Sequence, residues 1–220
     1  MTLKLNGSSS GSVSIDAPTS TTSGADITFK LPVADGTAGQ VLKTDASGNL
    51  SWYTPFKKVW GSTVDTTSGT DHVLLSSIPA DCDRFGWGLV EVSVDTDGDF
   101  GIQMSTSGGY VTSNYKSGGG FMRTTNVCGV THVSDAFICC TPPNSDWGPG
   151  ARFSGNFEVN RVKNNIWSFS GNVWVDESTE YMGWNAGYID ISGALTAVRL
   201  HGEQTFDYGQ IRAWYETGGT

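Results

Sequence analysis

From residue 57 onward the chain is a succession of short segments in which apolar and polar residues alternate, and none sustains the 3.6-residue apolar period of a helix. The segments are GLVEVSVD, DFGIQMS, AFICC, ARFSGNFEV, NIWSFSGNVWV, GYIDI, TAVRLHG and GQIRAWYE. Each is bounded by Gly, Asn, Asp or Pro, the residues that stop a strand and turn the chain. Alternation with period two sends apolar side chains to one face of a pleated strand, so each segment needs a second sheet to cover it. Residues 57–220 are therefore predicted to form an all-β head, a β-sandwich of jelly-roll type. With 11% aromatic residues and eight Trp, the chain has enough bulk to fill such a core.

Several turns follow from the same pattern. VSVDTDGDFGIQM sets Val90, Val92 and Val94 before Asp97-Gly98 and Phe100, Ile102 and Met104 after it, which predicts a hairpin. WSFSGNVWV predicts another around Gly171-Asn172. In FDYGQIRAWYE, Ile211, Ala213 and Tyr215 share one face and Arg212 and Trp214 the other, a strand that also suits contact with a neighbouring subunit.

The first 56 residues differ in kind. Residues 1–24 are dominated by Ser, Thr and Gly, with Leu3/Leu5 and Val13/Ile15 as short apolar pairs that bury too little to order the backbone around them. They read as an extended arm that needs a partner. In residues 25–35, Ile27, Phe29 and Leu31 alternate up to Pro32 and predict one strand. GTAGQVLKTDASGNLSW then predicts a hairpin, with Gly48-Asn49 supplying the positive-φ positions of its turn. An isolated hairpin is marginal in water, so residues 25–56 read as a linker that closes against copies of itself through Phe29, Leu42, Leu50 and Trp52.

Two stretches of this region, MTLKLNGSSSGSVSIDAP and ITFKLPVADGTAGQVLKTDASGNLSW, resemble the N-terminal region that recurs in appendage and fibre-like proteins of tailed bacteriophages, particularly those of marine bacteria. The resemblance covers about the first quarter of the chain. It implies a virion-attached, usually trimeric protein with an N-terminal attachment region and a C-terminal head.

The net charge of −9 and pI near 4.6, with Lys and Arg scattered, argue against nucleic acid as a partner. The start lacks an apolar h-region and no run approaches membrane-spanning length, so a soluble chain without a secretory signal or membrane contact is expected. Cys82, Cys128, Cys139 and Cys140 fit neither zinc nor C-x-x-C redox spacing and read as buried free thiols in a reducing compartment.

No catalytic, metal or cofactor site emerges. Asp95-x-Asp97-Gly98-Asp99 lacks the sixth-position Gly and twelfth-position Glu of an EF-hand and reads as a solvated turn. His72, His132 and His201 are scattered, and Ser134 and Asp135 beside His132 come with no Gly-x-Ser-x-Gly elbow. Binding candidates are aromatic: Trp147 in TPPNSDWGPG, Tyr181, Trp184 and Tyr188 in TEYMGWNAGY, and Tyr110 and Tyr115 between glycine clusters in residues 107–121. Such rings stack on sugars or on a protein neighbour; the alternative is that they cap the sandwich or pack at a trimer axis.

The expected function is that of a non-enzymatic bacteriophage structural protein, assembled in the host cytoplasm into the virion. The arm would fasten a homotrimer to other virion proteins, and the head would engage a host-surface glycan or protein. The alternatives are a capsid or tail decoration protein that stabilises the particle, and a free carbohydrate-binding domain.

Overall fold

The computed structural model describes residues 2–6, 9–16, 18–21, 24–96, 98–123, 128–140, 150–176 and 181–218. The chain divides into two compact units, Met1–Pro55 and Phe56–Gly218.

In the first unit, β1 (Thr2–Asn6) pairs antiparallel with β2 (Ser12–Asp16), so the two apolar doublets stand opposite each other, Leu3 against Ile15 and Leu5 against Val13. The opening arm is thus a hairpin over these residues. A second hairpin joins β3 (Val41–Thr44) to β4 (Leu50–Tyr53) with Leu42 opposite Trp52. Its turn is built on Asp45, whose carboxylate accepts the Ser47 N–H at 2.8 Å, the Asn49 N–H at 3.1 Å and the Asn49 side-chain amide at 2.6 Å. These bonds, the Asn49 amide first, hold the Asp45 carboxyl below the usual carboxylate range. The positive-φ positions are Ala46 and Gly48, so Asn49 is not one of them. The strand expected over residues 25–35 does not form: only Lys30 bridges to Asn49, donating to Gly48 O and accepting from Leu50 N. No strand among the described residues pairs with this segment further, and Ile27, Phe29, Leu31 and Val33 stay exposed.

Among its described residues the second unit carries thirteen strands: β5 (Lys57–Asp65), β6 (Asp71–Leu75), β7 (Arg84–Val94), β8 (Phe100–Thr106), β9 (Gly109–Tyr110), β10 (Lys116–Arg123), β11 (Cys128–Val133), β12 (Phe137–Ile138), β13 (Arg152–Lys163), β14 (Ile166–Asp176), β15 (Tyr181–Asp190), β16 (Ala197–Gly202) and β17 (Phe206–Thr217). One sheet holds β5-β17-β7-β13 side by side and the facing sheet β6-β16-β8-β12. Taking these eight in chain order, the first sheet contains the first, eighth, third and sixth, and the second the second, seventh, fourth and fifth. That order is a jelly roll, two interlocked Greek keys. The insertions within it add β14-β15-β10-β11 to the outer edge of β13, and β9 pairs with β8.

The jelly-roll order corrects the first expected hairpin. The turn after Val94 carries the chain from one sheet to the other, and β8 pairs with β16 and β12 instead of β7. The expected turn at Gly171-Asn172 is likewise the middle of the continuous strand β14. Gly171 is glycine because the Phe157 ring lies over it: a Cβ there would come within 2.1 Å of Phe157 Cδ1.

Inward-facing rings fill the space between the sheets. Trp87 stacks on Phe157 and Phe169 with centroids 5.2 and 5.8 Å away, Phe137 of the second sheet stacks on Phe169 at 4.8 Å, and Phe100 meets Phe153 edge-on at 5.2 Å. Burying each such side chain contributes about 1.5–3 kcal/mol, before the favourable ring geometry is counted. Ile211 and Ala213 face this core as their alternation requires, and Tyr215 packs against it.

Cys82, Cys139 and Cys140 are buried free thiols. Burial pushes the Cys82 thiol up to about 11, and Cys139 and Cys140 are raised further for the same reason. All three are expected to resist iodoacetamide in the native protein and to react once it unfolds, as mass spectrometry of the labelled peptides will show. Labelling of any of them at the rate of a small free thiol would contradict this burial.

Candidate functional site

The added strands expose one side of the large sheet to solvent, and their pairing decides which residues meet there. On β15, Met182, Trp184, Ala186 and Tyr188 point outward, while Tyr181, Asn185 and Ile189 point inward. Register aligns Met122, Met182 and Trp174 in one row across β10, β15 and β14. The next row is Gly120, Trp184 and Asn172, then Gly118, Ala186 and Ser170, then Lys116, Tyr188 and Ser168. Neighbouring strands lie about 4.8 Å apart, so Trp174, Met182, Met122 and Trp184 form one apolar cluster, with Tyr188 two rows further along. Trp184 is 42% and Tyr188 54% exposed. Gly118 and Gly120 keep the β10 side low, and Asn172, Ser170 and Ser168 border the rings with hydrogen-bonding groups.

A second aromatic pair, exposed Trp60 and buried Trp214, is already covered. Trp60 and Trp214 meet at 6.4 Å, but Lys58 Nζ sits 3.6 Å from the Trp214 ring and the Arg212 guanidinium 4.8 Å from that of Trp60. Their faces are occupied by the protein's own cations. Among the described residues no cation or ring lies over Trp174, Trp184 or Tyr188, and all three are exposed.

The aromatic residues singled out from the sequence separate accordingly. Trp184 and Tyr188 lie on this open face. Tyr181, 2% exposed, points into the core against Phe121 and is not a surface binding residue. Tyr115 is fully buried, its hydroxyl accepting the Met104 N–H at 2.8 Å and its ring edge-on to Phe137, so it too is core. Tyr110 is half-buried beneath the Arg199 guanidinium, 4.2 Å from its centroid. Trp147 lies outside the described residues. Trp174, Met122 and Met182 were missed; for Trp174 the signal was present, since it alternates with the buried Val173 and Val175. Of the linker residues, Phe29 is 63% and Leu42 46% exposed, whereas Leu50 is half-buried and Trp52 donates its indole N–H to Ala34 O at 2.8 Å.

No protein-family model matches this chain, and no curated protein does either. The likeness to phage appendages therefore rests on the N-terminal residues quoted above.

Carboxylates gather elsewhere. Asp99, at the head of β8, lies with Asp135 and Glu203 around a small cleft, and its Oδ1 is 3.8 Å from Cys140 Sγ. Among the described residues no group of His, Cys, Asp and Glu is arranged to hold a metal ion; Asp97 lies outside them. Burial first, then repulsion by Glu203 and Asp135, pushes the Asp99 carboxyl up to about 6. The folded state thus holds a proton that the unfolded chain has released above about pH 4. The stability this contributes is complete below about pH 4 and is lost as pH rises through about 6. Asp99→Asn is expected to remove that slope and to stabilise the protein at pH 8 by about 1–2 kcal/mol, allowing for solvent screening of a partly accessible group. Urea unfolding of both proteins at pH 5 and pH 8 measures it. An equal loss between the two pH values in both proteins contradicts the assignment.

Proposed function

We propose that this chain is a non-enzymatic structural protein of a tailed bacteriophage, present in the virion as a homotrimeric appendage whose head engages the host surface through the Trp174–Trp184–Tyr188 face. The observation that carries the reading is a contrast within one chain. The jelly-roll unit has a complete aromatic core of its own, while the N-terminal unit leaves Ile27, Phe29, Leu31, Val33 and Leu42 in water. Large apolar side chains concentrated on so small a unit favour burial against further copies or another virion protein. The phage-like motif lies in that same unit and supports attachment through it. Jelly rolls occur in viral capsid proteins and lectins, an analogy of fold that agrees with the reading without deciding it.

Two measurements test it. Sedimentation should give three times the 23.4 kDa chain mass, and a monomer at micromolar concentration would remove the trimer. Fluorescently labelled protein should bind host cells and lose binding when Trp184 and Tyr188 are changed to Ala. Firm retention on isolated capsids without cell binding would favour a decoration protein that stabilises the particle.

A further inference from the structure

Away from the aromatic face, two bulges meet on the outer side of the large sheet. In β7 the register against β13 slips between the partners Leu89 and Val92, and in β17 the register against β7 slips on both sides of Tyr208. Glu91 takes φ 53°, a left-handed conformation that costs a non-glycine residue strain, and Gly209 takes φ 100°. The two backbones approach so closely that a Cβ on Gly209 would lie 2.5 Å from Glu91 O. The Glu91 N–H, displaced from the ladder, is held by Ser154 Oγ at 2.9 Å. Fully buried Thr66 fixes the other bulge, donating its hydroxyl to Tyr208 O at 2.8 Å and its N–H to Gly209 O at 2.9 Å.

This double bulge borders a surface cavity of about 310 Å3, within the range of about 300–1,000 Å3 typical of small-molecule sites. Bulges recur beside functional sites because they re-aim side chains, and here they aim a mixed set. Tyr208 and Val90 supply exposed apolar surface, and Arg152 lies 4.0 Å from the Tyr208 ring centroid. Asp65 is oriented by Gln210, whose Nε2 donates to Oδ1 at 2.7 Å, and Glu91 by Arg152 at 3.6 Å. Each carboxylate keeps acceptor capacity beyond those bonds.

We propose that this cavity binds a neutral hexose residue, its hydroxyls donating to Asp65 and Glu91 and its C–H face resting on Val90 and on the side of Tyr208 turned away from the Arg152 guanidinium. Asp65 and Glu91 give the lining net negative charge, on a chain of net charge −9, so uronic and other acidic sugars are disfavoured. The site shares no residue with the Trp184 face and stands whether or not that face binds host cells.

Saturation-transfer NMR on the full chain tests it, with methyl glucoside, mannoside and galactoside, the corresponding disaccharides, and glucuronic acid. At least one neutral glycoside should receive saturation, and glucuronic acid markedly less. A disaccharide gaining over its methyl glycoside identifies a chain residue as the ligand, and equal signals a free sugar. Tyr208→Ala should reduce the affinity at least tenfold. Glu91→Gly should do the same while the fold is kept, because glycine accepts the φ that Glu91 strains to hold. No transfer to any neutral glycoside, preference for glucuronic acid, or binding unaltered in both pocket variants overturns the proposal.

Discussion

Replacing Trp87 by Ala is expected to lower the stability of the jelly-roll unit by about 3–5 kcal/mol, among the largest effects available to a single substitution. The indole is 1% exposed and stacks on Phe85, Phe157 and Phe169 at once. These rings come from β7, β13 and β14, and Phe169 passes the contact to Phe137 of the facing sheet. Truncation therefore leaves a cavity at the junction of both layers, where four rigid rings cannot collapse to fill it. Thermal unfolding should shift down by roughly 10 °C for a unit of this size. Trp87→Phe retains a ring in the stack and should lose distinctly less. A Trp87→Ala protein within 1 kcal/mol of wild type, on the scale of about 1.36 kcal/mol per tenfold change in the folding equilibrium, would mean that the rings do not pack as described.

The fold class was legible because alternation is a local property. Ile211, Ala213 and Tyr215 face inward as their spacing requires, and the division of large aromatic residues between the two units is visible without coordinates. Strand partners were not legible. A jelly roll places strands that follow one another closely in the chain in opposite sheets, so Asp95–Asp99 has the residues of a hairpin turn while spanning the sandwich. Gly171 is ambiguous in the same way: a turn and a close approach by Phe157 both call for glycine. Parity along β7 is the third case. Phe85, Trp87 and Leu89 face inward at odd positions, Glu91 forms the bulge, and Val92 and Val94 then face inward at even ones, leaving Val90 outside. One residue in a left-handed conformation reverses the face of all that follow.

Part of the candidate face was legible and part was misread. Tyr181 was grouped with Trp184 and Tyr188 because they are neighbours in the chain. Parity alone separates them, since on a strand residue 181 faces away from 184 and 188. Tyr115 carried no such signal; it precedes β10, and the bond from Met104 and the edge-on contact with Phe137 place it in the core. The cavity between the bulges depends on register slips and the left-handed Glu91, features that leave no mark in a pattern of residue types.

Changing Phe29 and Leu42 to Ser distinguishes a trimer-forming linker from a simple spacer, because the two cases predict opposite costs. In a single chain Phe29 is 63% and Leu42 46% exposed, so their removal should alter its stability by no more than about 1 kcal/mol. If three copies bury them against one another, each position loses up to about 1.5–3 kcal/mol of apolar burial in every copy, repeated by the symmetry. The trimer should then dissociate in sedimentation, while the near-ultraviolet circular dichroism of the Trp-rich head stays unchanged. Trp52→Ser alone does not discriminate so cleanly. Its ring lies across Gly36, where a Cβ would come within 2.5 Å of it, and its N–H is bonded to Ala34, so its loss loosens the hairpin within one chain as well. Leu50, half-buried on the same hairpin, shares that difficulty. A Phe29→Ser/Leu42→Ser protein that sediments as a trimer of undiminished stability would place the subunit contact outside these two positions.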